Sequence, residues 1–170
     1  MDGMDRQILC FKHCGTIFCF DLPEVCPLCH FSLSLIPVED IPFRLPHPFV
    51  KAGQYPCSIV IKSTTGTFLE NYNYNKNLHI GVTDSRGAVH EYDSGGLRKN
   101  CTQDWNQSIV VYKSSEVWRS HWDSPLAVVY ADPMWRSENY DEDNFNCFSF
   151  VIAFLKKLNC KELNEFMDKE

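Results

Sequence analysis

A chain of 170 residues with 44% hydrophobic, 14% aromatic and 22% charged content has room for one ordinary domain, or a small module joined to a modest one, and excludes disorder, collagen and coiled coil. A net charge of −6 argues against holding nucleic acid by phosphate neutralisation, and no apolar run approaches a membrane span. The first residues lack a charged-then-apolar leader, so the nine cysteines read as metal ligands or a reactive thiol rather than disulfides, and the compartment as cytoplasmic or nuclear.

Five of the nine cysteines and two histidines fall in the first thirty residues: Cys10, His13, Cys14, Cys19, Cys26, Cys29 and His30. Cys26-Pro27-Leu28-Cys29 is the strongest local signal, because two thiolates separated by two residues can both reach one ion about 2.3 Å away across a tight turn. Cys14 supplies a third ligand, and either His13 or Cys10 completes the set. Gln7 to Lys12 and Thr16 to Asp21 read as a hairpin, with Gly15 placed for a positive φ. A closed four-ligand site predicts structural zinc, which supplies folding free energy that so small a segment lacks. This module spans residues 1–35. A connection over 36–56 follows, with four prolines between Ile36 and Pro48 and a linker histidine, His47.

Residues 57–170 read as an α+β body. Ser58 to Lys62, His79 to Thr83, Ala88 to Tyr92 and Ser108 to Tyr112 have strand periodicity, and Thr65 to Tyr72 is a further candidate. Asp84-Ser85-Arg86-Gly87 makes a hairpin of the second and third strands. Ser115 to Trp122 predicts a helix that Pro125 interrupts. From Asn146 the run CFSFVIAFLKKLN is apolar over most of its circumference and predicts a buried helix, with acidic and capping residues before it and Lys156 and Lys157 near its end. Lys161 to Asp168 adds a short terminal helix. The expected architecture is an antiparallel sheet packed on a buried C-terminal helix.

One pair of residues in the body suits catalysis. Cys147 lies in the first turn of the buried helix, where free backbone N–H groups favour a thiolate. His79 opens a strand, and a histidine bonded to such a cysteine is the pairing of cysteine hydrolases. With the turn centred on Ser85-Arg86, His79 faces Tyr92, and His90 lies diagonal to it on the same face, where it would orient the imidazole.

The stretches HIGVTDSRGAVHEYDSGGL and YDEDNFNCFSFVIAFL resemble the histidine and cysteine blocks of the circularly permuted papain-like superfamily, which includes the PPPDE thiol isopeptidases and the lecithin–retinol acyltransferase group. The resemblance implies Cys147 as nucleophile, His79 as base and acid, and His90 near the third polar position. It implies as substrate an isopeptide bond to a ubiquitin-like modifier. Phe148 departs from the pattern, since PPPDE proteins carry a second asparagine there. Across most of its length the chain is similar to the makorin-2 opposite strand protein family, through His13-Cys14, CPLC at Cys26 to Cys29, GTF at Gly66 to Phe68, LHIG at Leu78 to Gly81 and NCFSF at Asn146 to Phe150.

Two functions follow: a thiol hydrolase or acyl transferase, or an inactive, zinc-stabilised protein-binding adaptor using Trp105, Trp118, Trp122 and Trp135 as anchors. Nucleic-acid binding by the first module is a weak third reading and no nucleic-acid partner is expected, as Lys12 is the only lysine or arginine between Gln7 and Phe43 and leaves no phosphate-binding footprint.

Overall fold

In the computed structural model, which describes residues 7–34, 41–46, 48–99 and 102–159, the chain divides between Pro48 and Phe49 into two units, each with its own apolar core. His47 and the expected helix from Lys161 to Asp168 lie outside the described residues. No helix among the described residues is long and apolar enough to cross a membrane.

The first unit is built on a three-stranded antiparallel sheet of β1 (Leu9–Lys12), β2 (Thr16–Cys19) and β3 (Phe43–Arg44), ordered β2-β1-β3. Phe11 and Ile17 are paired across the first two strands and bury one face against Cys26 and Leu33. The third strand comes from the proline-containing passage. Pro42 and Pro46 bracket it and hold the backbone extended, and Leu9 and Cys10 pair with Arg44 and Phe43.

The second unit carries a five-stranded antiparallel sheet of β4 (Ser58–Ser63), β5 (Leu78–Thr83), β6 (Val89–Asp93), β7 (Gly96–Lys99) and β8 (Ile109–Lys113), ordered β7-β6-β5-β4-β8. Alternation gives each strand two different faces. Ile59, Ile80, Val82 and Tyr92 belong to the main core with Trp122 and Leu126 of α1 (Glu116–Tyr130) and Phe150, Val151 and Phe154 of α2 (Cys147–Leu158). Val60 and Val89 form a second, smaller core with Ala52 and Trp105.

Three expectations are corrected. Thr65 to Tyr72 forms no strand, because Thr67 O accepts from Asn71 N and Tyr72 N and so closes a local turn in place of a ladder. Pro125 does not end α1, which runs through it to Tyr130. A proline frees the carbonyl four residues back; here that residue is the exposed His121, within reach of water, while Trp122, Leu126 and Val129 anchor the helix at i, i+4 and i+7. Trp105, Trp122 and Trp135 are buried core residues, so of the four tryptophans only Trp118 retains partial exposure.

Candidate functional site

α2 begins where it does because Asn146 caps it. Its side-chain oxygen accepts from Phe148 N at 2.9 Å and Ser149 N at 3.4 Å, while Ser149 Oγ accepts from Asn146 N at 3.2 Å. The cap fixes Cys147 as the first helical residue, 5% exposed, in the lining of a cleft of about 550 Å³ that His79, Asn77, Tyr140 and Phe148 also line.

His79 projects from the start of β5 and lines the same cleft as Cys147, where each residue shifts the other's titration. Its Nε2 donates to Glu91 Oε2 at 2.8 Å. Glu91 is fully buried and is also the acceptor for Trp105 Nε1 at 3.2 Å. Arg98 Nη2 lies 3.1 Å from Glu91 Oε1, and Lys62 Nζ lies 3.9 Å from Oε2.

Burial works against a charged imidazole, but the bonds to Cys147 and Glu91 outweigh it and push His79 up from 6.5 to about 9. Burial likewise opposes a charged sulfur, yet the His79 bond and the backbone N–H groups of Ile80 and Phe148 hold the Cys147 thiol below its ordinary 9.0. Opposite shifts in two groups that act on one another favour one proton arrangement, thiolate with imidazolium.

The structure brings Cys147 and His79 together and leaves His90 elsewhere. His90 donates from Nε2 to Asp84 Oδ2 at 3.3 Å and stands edge-on to Tyr130 of α1, on the opposite face of β6 from Glu91. Burial pushes its imidazole down, against the pull of Asp84. The cause is register. Val82 pairs with His90 and Thr83 with Val89, so continuing the ladder sets His79 opposite Asp93 and makes Glu91 its diagonal neighbour. That is one residue from the expected register, and a one-residue slip exchanges the faces of a strand. The loop holds three residues: Asp84 N donates to Ala88 O at 2.9 Å, and Gly87 adopts φ +82°, where an added Cβ would lie 2.2 Å from Gly53 O. Sequence reasoning also missed Glu91 and Trp105 as partners of the site; the glycine at the third loop position was the available signal for Glu91, and no local signal pointed to Trp105.

In the first unit, His13, Cys14, Cys26 and Cys29 bring four donor atoms within 4.8 Å of one another. Cys14 Sγ lies 3.6 Å from Cys26 Sγ, and Cys29 Sγ lies 3.5 Å from His13 Nδ1. The Cys26 turn is closed by His30 N donating to Cys26 O at 2.9 Å and Cys26 N to Phe31 O at 2.8 Å. His30 carries the positive φ of this turn, +61°, whereas the positive φ expected at Gly15 does not occur among the described residues. Of the two proposed fourth ligands, His13 joins the cluster, and Cys10 stands in β1 opposite Phe18 and Phe43. Ligands about 2.0–2.3 Å from a tetrahedral ion lie roughly 3.3–3.8 Å apart, so this donor set fits a bound metal.

The DUF4796 C-terminal family model matches residues 42–170, and the DUF4796 N-terminal model matches residues 6–33. The chain is 29% identical over 168 residues, 96% of its length and 75% of the relative's, to the MKRN2 opposite strand protein of Homo sapiens. No solved structure matches.

Proposed function

The chain belongs to the DUF4796 family of makorin-2 opposite strand proteins, and we propose that it is a cysteine hydrolase or acyl transferase of permuted papain-like type. One observation carries this reading: a cysteine in the first turn of a helix and a strand histidine line one cleft, and a buried carboxylate bonds the histidine.

In the proposed reaction the Cys147 thiolate attacks the carbonyl carbon of an amide or thioester. The free backbone N–H of a helix start stabilises the oxyanion, and here that donor is Cys147 N, since Phe148 N already serves the cap. The imidazolium of His79 gives its proton to the departing amine or thiol, and the C–N or C–S bond breaks. This leaves an acyl-thioester on Cys147 and a neutral imidazole. His79 then takes a proton from water, or from an acceptor amine or alcohol, whose oxygen or nitrogen attacks the thioester and restores the thiolate–imidazolium pair. Glu91 touches no reacting atom. It is a positioning residue that fixes the ring and favours its charged form. An isopeptide bond to a ubiquitin-like protein is the proposed substrate, by the resemblance of the histidine and cysteine blocks.

The ion held by His13, Cys14, Cys26 and Cys29 is proposed to be zinc with a structural role, because three thiolates and an imidazole use up a tetrahedral coordination sphere. A second reading, a protein-binding adaptor, is favoured by the exposed Phe18, Leu28, Phe31 and Phe43 of the first unit.

The test is the alkylation rate of Cys147 against pH, read by peptide mass spectrometry in the parent and in His79→Ala. The proposal expects fast reaction below about pH 7 that disappears in the variant. A parent Cys147 that titrates near about pH 8.5 or stays inert would sink the enzyme reading and leave the adaptor.

A further inference from the structure

A histidine set between a thiolate and a buried carboxylate has a difficulty that the proposed reaction exposes. Its first half needs a charged imidazole, and its second half needs the same ring to give that proton up and act as a base. A carboxylate bonded to it in a low-dielectric site would hold the proton too firmly for the second task. Glu91, however, is not left to His79 alone.

Arg98 of β7 reaches Glu91 Oε1 at 3.1 Å with a half-exposed side chain, and also pairs with Asp93. Lys62 of β4 pairs directly with His79 in the strand register and lies 3.9 Å from Glu91 Oε2, its ammonium 4.9 Å over the Trp105 ring. Neither Arg98 nor Lys62 lines the cleft. Both reach Glu91, the carboxylate bonded to His79.

Resting on the hydrolase reading, we propose that Arg98 and Lys62 are positioning residues for His79: by sharing the Glu91 carboxylate they draw off part of its field, so that the imidazole is oriented by Glu91 yet remains able to release its proton. The charged and titratable groups around the ring are then Glu91 and Asp93 of β6, Lys62 of β4, Arg98 of β7, Cys147 of α2, and Tyr72, Lys76, Tyr140, Glu142 and Asp143 at the cleft. Two cations offset two carboxylates behind the ring, leaving the sulfur and the cleft side to set the remaining field.

The experiment is a nuclear magnetic resonance titration of the His79 imidazole in the full-length, metal-loaded chain. Arg98→Gln keeps a polar side chain there and removes the charge. Its His79 midpoint should rise by roughly half to one pH unit, the scale of a partly screened charge at this distance. Arg98→Lys, which keeps the charge, should restore the parent midpoint. Lys62→Met provides a second variant, with an upward shift expected as well. If both charge-removing variants leave the midpoint in place, or lower it, the proposal is overturned while the Cys147–His79 pair stands. Parallel iodoacetamide labelling of the parent below about pH 7 separates the other failure, because an ordinary, slow Cys147 there removes the pair and with it any role for these cations.

Discussion

Glu91 contributes to this protein mainly as a charge. Its side chain is fully buried, which is costly for a carboxylate unless partners surround it, and His79, Trp105, Lys62 and Arg98 do so. Glu91→Gln preserves the shape and one acceptor oxygen and removes the charge. A hydrogen bond to a charged group contributes about 1.5–3 kcal/mol, so the thiolate form of Cys147 at pH 6.5 should fall by roughly ten-fold or more, with alkylation falling alike. The pH dependence has a definite sign. His79 has a folded value of about 9, above its ordinary 6.5, so its contribution to stability is complete below about 6.5 and is lost as pH rises through about 9. The stability gap between parent and variant in urea should therefore narrow from pH 6.5 to 9.5; a gap that widened would contradict the ion pair. The sequence discloses Cys147 and His79 because each sits at an element boundary with its own local signature. It does not disclose Glu91 so directly, because strand faces depend on register, and one residue in the Asp84–Ala88 loop decides whether His90 or Glu91 meets the imidazole.

At the scale of elements, the start of α2 combines folding and chemistry in one cap. Asn146 accepts from the helix N–H groups, and its amide also donates to Glu142 O at 2.7 Å, tying the cap to the segment that borders the cleft. Asn146→Ala removes both functions and should cost about 1–2 kcal/mol by urea unfolding, with Cys147 alkylation slowed as the first turn frays. A variant as stable as the parent would show that the cap is dispensable. Elements such as α2 and the β5–β6 hairpin are legible in sequence because burial, capping and turn chemistry agree there. β7 is less so: Gly96-Leu97-Arg98-Lys99 offers one apolar side chain, and only pairing with β6 makes it a strand. The proline in α1 misleads for the opposite reason. Its local penalty is real, but three buried side chains spaced along one face outweigh it.

At the scale of the whole molecule, the cysteines divide by unit and by task. The first unit has a core of Phe11, Ile17, Cys26 and Leu33, with the metal-ligand cluster His13, Cys14, Cys26 and Cys29 alongside. So small a core cannot offset the ordering entropy of a segment this long, so a bound ion should supply much of its folding free energy. The second unit has a larger core and holds Cys147 within it. Removal of metal by a strong chelator should therefore raise hydrogen exchange across residues 7–34 and leave the protected amides of β4, β5 and α2 slow, as read peptide by peptide. The ligand set makes the same experiment more discriminating. His13→Ala should release the metal, because it takes away one of four converging donors, whereas Cys10→Ala should retain it, because Cys10 belongs to the β1 ladder between Phe18 and Phe43. Equal metal loss in both variants would return Cys10 to the coordination sphere, and unchanged exchange after chelation would mean that the small core suffices without an ion.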